Sequence, residues 1–214
     1  VTATLTTIFL SSFVIALSGA MMPGPLLTIT ISESARKGFI MGPLIVLGHA
    51  VLELALVIAL LFGLAPFFQK PSVFALIAIA GSFILLGMAW SMFRSLPSLR
   101  LSLESDRVRR KHPVVSGILM SIANPYWTIW WATIGIGYIL YSRQFGPGGV
   151  AVFFIGHTLA DLAWYSLIAA AVAKGKSFLT DRLYRGMIAC LAFLLVVFSF
   201  YFAYAGIAKI YSII

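Results

Sequence analysis

The sequence predicts an all-α polytopic membrane protein, with six transmembrane helices in two inverted three-helix repeats and the first and fourth helices broken at proline. Three observations predict this fold. Only 10% of the 214 residues are charged and 61% are hydrophobic, at a mean hydropathy of +1.04, whereas soluble domains carry roughly 25% charged residues. The basic residues fall almost entirely in alternate short connections. A rare polar motif occurs once in each half of the chain. This composition excludes a soluble enzyme and a disordered chain. The net charge of +9 reflects loop asymmetry rather than a nucleic-acid-binding face, so no nucleic-acid partner is expected.

The spans follow from where charge is missing. Residues 1–32, 71–93, 113–142 and 186–208 contain no Asp, Glu, Lys or Arg, 38–69 contain only Glu53, and 144–173 contain only Asp161. Roughly 20 apolar residues cross a bilayer as a helix, and these runs are too long and too unalternating for barrel strands. The spans are placed at 5–31, 39–64, 72–93, 113–140, 149–173 and 186–209. The first repeat occupies 1–93 and the second 113–214. A basic linker at 94–112, rich in Ser, separates them. Val1–Thr7 lack the positive segment that opens a removable secretory signal.

Orientation comes from Lys and Arg. The connections after the first, third and fifth spans hold twelve: Arg36 and Lys37, then Arg94 to Lys111, then Lys174 to Arg185. The other side holds three, Lys70, Arg143 and Lys209. By the positive-inside rule the basic loops are cytoplasmic and both termini lie outside a plasma (inner) membrane.

The second span contains Gly48-His49-x3-Glu53-Leu54 and the fifth contains Gly156-His157-x3-Asp161-Leu162. Recurrence of so rare a pattern indicates an internal duplication. The first and fourth spans also correspond, since Met22-Pro23-Gly24-Pro25 interrupts one and Ala123-Asn124-Pro125-Tyr126 the other. Three spans per half invert the second half, as in secondary transporters whose broken helices bound a central site.

These residues resemble the LysE (lysine exporter) superfamily of small six-helix exporters. The resemblance rests on Pro23-Gly24-Pro25, on Arg36-Lys37-Gly38 after it, on the glycine-rich second span ending at Gly63-Leu64, and on Asn124-Pro125. The motifs are short, but their order and spacing agree over essentially the whole chain. The resemblance implies efflux of amino acids or similar small metabolites, driven by an ion gradient. One departure is the pairing of His-x3-acid motifs in both halves, which most amino-acid exporters of this kind lack. Relatives that move divalent metals do use intramembrane acidic residues.

The residues themselves point to a substrate or proton pathway of His49, Glu53, His157, Asp161 and Asn124, bordered by the breaks at Pro23, Gly24, Pro25 and Pro125. At i, i+4 each His and its acid share a helix face. Each His falls about 13–15 Å into its span at 1.5 Å per residue, near the midplane, with the two acids on opposite sides of it. A charge there costs roughly 2.5–3.5 kcal/mol, which argues for a use. Three uses fit: binding an ammonium group, carrying an exchanged proton, or ligating a divalent metal through His49, Glu53, His157 and Asp161, the last making the chain a divalent metal-ion exporter instead of a metabolite exporter. Each His could instead bond its own acid and hold a non-transporting subunit together. No cofactor is expected beyond such a metal. The prolines free backbone carbonyls that only protein or a wet cavity can satisfy. The stripe Tyr126, Trp127, Trp130 and Trp131 reads as packing or lipid contact more than as a wall for a cation. Cys190 is the one cysteine, so it forms no intrachain disulfide. No Ser or Thr completes a hydrolytic triad, so no enzyme is expected. The sequence leaves open whether the chain works alone or as a homodimer.

The orientation is testable by placing a cysteine in the linker. Ser105→Cys, with Cys190 removed, should react with an impermeant thiol reagent only after the membrane is opened, and labelling of intact cells would reverse the topology.

Overall fold

The computed structural model describes residues 2–68, 70–98, 112–175 and 180–211, and no strand occurs among them. Helix α1 spans Thr2–Ala20 and α2 spans Pro25–Lys37. The two are bent by 80° at the Pro-Gly-Pro segment. Pro23 and Pro25 have no N–H to give the preceding turn, and Pro25 instead starts a helix, where a missing donor costs nothing. α2 continues past the expected end of the first span at residue 31, through Lys37. Glu33 and Lys37 pair at i, i+4, and Arg36 and Lys37 suit the negative end of the helix dipole. Gly38 then stops the helix, because at φ 90° its backbone takes the left-handed conformation that glycine tolerates best.

Helix α3, Met41–Ala59, runs through a π-helical turn at Leu60–Leu64 into the short α4, Ala65–Phe68. α5 spans Pro71–Ser95 and closes in a 3₁₀ turn, Leu96–Ser98. α6 covers Pro113–Ile122, and after the break α7, Pro125–Trp130, leads through a second π turn, Trp131–Gly135, into α8, Ile136–Arg143. α9 spans Gly146–Lys174 and α10 spans Asp181–Tyr211. Among the described residues four helical stretches are long and apolar enough to cross a bilayer on their own, and the bent α1–α2 pair makes a fifth. The span expected at 113–140 is divided by the Asn-Pro break, so its first piece, α6, has only 10 residues. Of the linker at 94–112, Arg94 and Ser95 belong to α5 and Leu96–Ser98 to the turn, while 99–111 lie outside the described residues, as does Val1.

The helices pack by close backbone approach. α1 lies along α9, α3 along α6, and α5 along α10. A Cβ at Gly48 would strike the backbone of Val114, one at Gly117 the carbonyl of Ile45, and one at Gly156 the backbone of Phe9. Small residues do this work in membranes, where lipid removes the hydrophobic drive between helices and leaves packing to hold them. α3 and α9 meet at the centre. One apolar cluster gathers Ile45 and Val46 of α3 with Tyr165 and Val172 of α9, and another gathers Val57 with Val150 and Phe153. His49, Glu53, His157 and Asp161 lie between these two clusters along both helices. The outer surface is rich in exposed large apolar side chains such as Val14, Leu76, Phe83, Phe200 and Tyr204, as a lipid-facing surface requires.

A methyl group at the α3–α6 contact should separate these results from mere composition. Gly48→Ala overpacks the crossing and should cost about 1–3 kcal/mol, read as a lower unfolding midpoint in detergent. Gly137→Ala, where a Cβ meets nothing within 4 Å, should leave the midpoint unchanged.

Candidate functional site

Helical spacing puts His49 and Glu53 on one face of α3, and His157 and Asp161 on one face of α9. Where the helices meet, these faces oppose each other. His49 Nε2 lies 3.0 Å from Glu53 Oε1 and 3.7 Å from Asp161 Oδ2. His157 Nε2 lies 3.1 Å from Glu53 Oε2 and 3.3 Å from Asp161 Oδ2. Glu53 and Asp161, one from each helix, are both within 3.3 Å of the same His157 nitrogen. The histidines do not each serve only their own acid, because His157 hydrogen-bonds both oxygens of Glu53 across the helix pair.

Glu53 is 1% exposed and Asp161 2%, yet they are treated differently. Glu53 Oε1 accepts the indole N–H of Trp131 at 2.9 Å and that of Trp127 at 3.1 Å. Indole nitrogen can only donate, so these two bonds require an oxygen in that place. Asp161 Oδ2 has no hydrogen-bond partner among the described residues, and neither has His157 Nδ1. The orientation of His49 is set from α6. The Ser121 hydroxyl donates to the Gly117 carbonyl at 2.7 Å and so accepts from His49 Nδ1 at 2.6 Å. That leaves Nε2 turned to the carboxylates.

The aromatic stripe therefore does more than pack. Trp130 and Trp131 are buried, with their rings 4.9 Å and 5.1 Å from the His157 ring. Trp127 and Trp131 sit at i, i+4, which aims both indoles at Glu53. Sequence reasoning saw the stripe but missed the bonds, and it missed Ser121 altogether. The available signal was a serine one turn before the Asn-Pro break.

The cluster borders a cavity of about 30 Å³, lined also by Gly19, Ala20, Leu26, Asn124, Tyr126 and Tyr165. That is room for water or a bare cation rather than an organic solute, whose pockets run roughly 300–1,000 Å³. Asn124 lines it as expected and caps α7, accepting from Tyr126 N at 3.1 Å. Pro23, Gly24, Pro25 and Pro125 are not among its lining residues. They turn the backbone beside it instead: Gly24 faces the Asn124 amide, and Pro125 fills the notch at Gly81 of α5. The break leaves the first-turn N–H groups of α2, at Leu26 and Leu27, without acceptors in their own helix. Among the described residues, His49, Glu53 and Asp161 also offer ligand atoms that all lie within 4.8 Å of one another.

The arrangement can thus bind a cation, exchange a proton, or do both, inside a multi-pass membrane protein whose α3 and α9 carry apolar packing on either side of the cluster. Neither a curated protein nor a solved structure matches the chain. A family model does: that of the LysE type translocators aligns with residues 17–206, which take in both breaks and every member of the buried cluster. On that match the chain belongs to the LysE type translocator family, and it is a membrane exporter of amino acids or other small molecules.

Proposed function

We propose that the chain exports amino acids or related small metabolites across the plasma membrane in exchange for protons, with both termini outside and the basic loops cytoplasmic. The observation that carries this reading is the meeting of Glu53 and Asp161 with two imidazoles in one buried cluster. A substrate ammonium would take the Asp161 oxygen that accepts no hydrogen bond among the described residues and share Glu53. Its carboxylate would take the first-turn N–H groups of α2 and the Asn124 amide, as anions do at helix N-termini. The imidazoles, which titrate near neutral pH as free side chains, would hold the proton that replaces the solute.

The same reading treats the two halves as inverted repeats, with α6 and α7–α8 as the two parts of a broken fourth span. Equivalent residues in equivalent contacts support it. Gly48 sits against α6 and Gly156 against α1, and both breaks restart with a proline at the first helical position. A cavity of about 30 Å³ is too small for such a solute, so this conformation is read as one that has not yet admitted it. The α2 and α7 breaks are where the chain would part to admit a solute, as in other transporters with discontinuous helices.

Flux measurements in liposomes test this. Glu53→Gln and Asp161→Asn keep shape and remove charge. Truncating one partner of a buried charge pair costs about 2–5 kcal/mol, so each should lower proton-driven amino-acid export by more than roughly tenfold. The double variant should add little if the two acids serve one site. Full activity in that variant, or no solute-dependent proton flux in the parent protein, would end the proposal.

The breaks give a separate check. Pro25→Ala and Pro125→Ala let a helical hydrogen bond re-form, so both should stay folded and export more slowly. Normal rates in both would reduce the prolines to simple kinks.

A further inference from the structure

The geometry points to a divalent transition-metal site made by His49 Nε2, Glu53 and Asp161. A tetrahedral ion with bonds of about 2.0–2.1 Å holds its donors about 3.3–3.4 Å apart. His49 Nε2 stands at distances near that value, 3.0 and 3.7 Å, from the two carboxylates, and the donor atoms of all three residues lie within 4.8 Å of one another. His157, whose Nε2 bonds both oxygens of Glu53, supports the carboxylate rather than the ion.

Three further features suit an ion. His49 gives its Nδ1 proton to Ser121, whose own proton is committed to Gly117, which fixes the tautomer with an Nε2 lone pair facing inward. Outer bonds of this kind orient metal-binding histidines. Asp161 Oδ2, buried and without a hydrogen-bond partner among the described residues, is a donor atom for a cation to take up. Two carboxylates also balance the charge of a divalent ion in a site where uncompensated charge is costly. One imidazole nitrogen with two carboxylate oxygens favours ions such as Zn²⁺ or Co²⁺ over Mg²⁺ and Ca²⁺, which prefer all-oxygen sites. The cavity, about 30 Å³, holds such an ion with no opening of the breaks.

The inference shares its three residues with the proposed transport site, and it is tested without transport, so the two stand or fall separately. CoCl₂ is titrated into the purified full chain in detergent, followed by visible absorption, and ZnCl₂ is then used as competitor. One Co²⁺ per chain with the intense absorption of tetrahedral coordination, displaced by Zn²⁺, is expected. Asp161→Asn and His49→Gln should abolish that spectrum while the protein stays monodisperse. Ser121→Ala, which loosens only the orientation of His49, should weaken binding about 10–100-fold. His112→Ala, at the start of α6 and outside the cluster, should leave it intact. No stoichiometric binding, an octahedral spectrum, or binding that survives both cluster variants would overturn the site. Proton-driven amino-acid export that persists in metal-free vesicles would leave the transport reading standing in any of those cases.

Discussion

Two carboxylates in the middle of a membrane are tolerable only if something there replaces the water they have lost. In this chain two imidazoles lie against Glu53 and Asp161, two indole N–H groups donate to Glu53, and a serine hydroxyl accepts from His49 and orients it. Each donor comes from a place fixed by the requirement. α3 and α9 must cross at the depth of their His-acid faces, α6 must bring Ser121 to His49, and α7 must restart at Pro125 so that two indoles one turn apart reach one oxygen. A buried polar network is costly when half satisfied, which makes these placements interdependent.

The backbone breaks belong to the same constraint. A helix continuous from α1 into α2, or from α6 into α7, would carry its side chains past the cluster with every N–H and C=O already bonded. Breaking both at proline opens helix N-termini beside the carboxylates. Asn124 can then cap one helix while facing the glycine that begins the other. The π turn at Trp131–Gly135 adjusts the register just after the second indole, a device often found at functional sites. Apolar side chains from α3 and α9 close the cluster above and below, so polar contact is concentrated at one level of the bundle.

Close approach supplies the rest. The glycines at 48, 117 and 156 remove the side chains that would hold α3 from α6 and α9 from α1. Without that approach Ser121 would not reach His49 at 2.6 Å. The glycine that precedes each histidine in the repeated motif is therefore part of the site, though it touches no polar group in it.

The sequence by itself determined what depends on composition and local spacing. Charge-free runs gave the membrane helices, the paired motifs gave the four titratable residues, and the prolines gave the positions of both breaks. Lone charges in long apolar runs stand out because the bilayer penalises them so strongly. Local spacing could not say that α2 would extend to Lys37, since a solvated ion pair decides that end. It could not separate a tryptophan facing lipid from one whose N–H meets a carboxylate more than seventy residues away in the chain. Nor could it bring Glu53 and Asp161 together, because their distance depends on the crossing of α3 and α9. Only the tertiary structure decided that, through the helix packing that glycine permits and through side chains long enough to close the remaining gap.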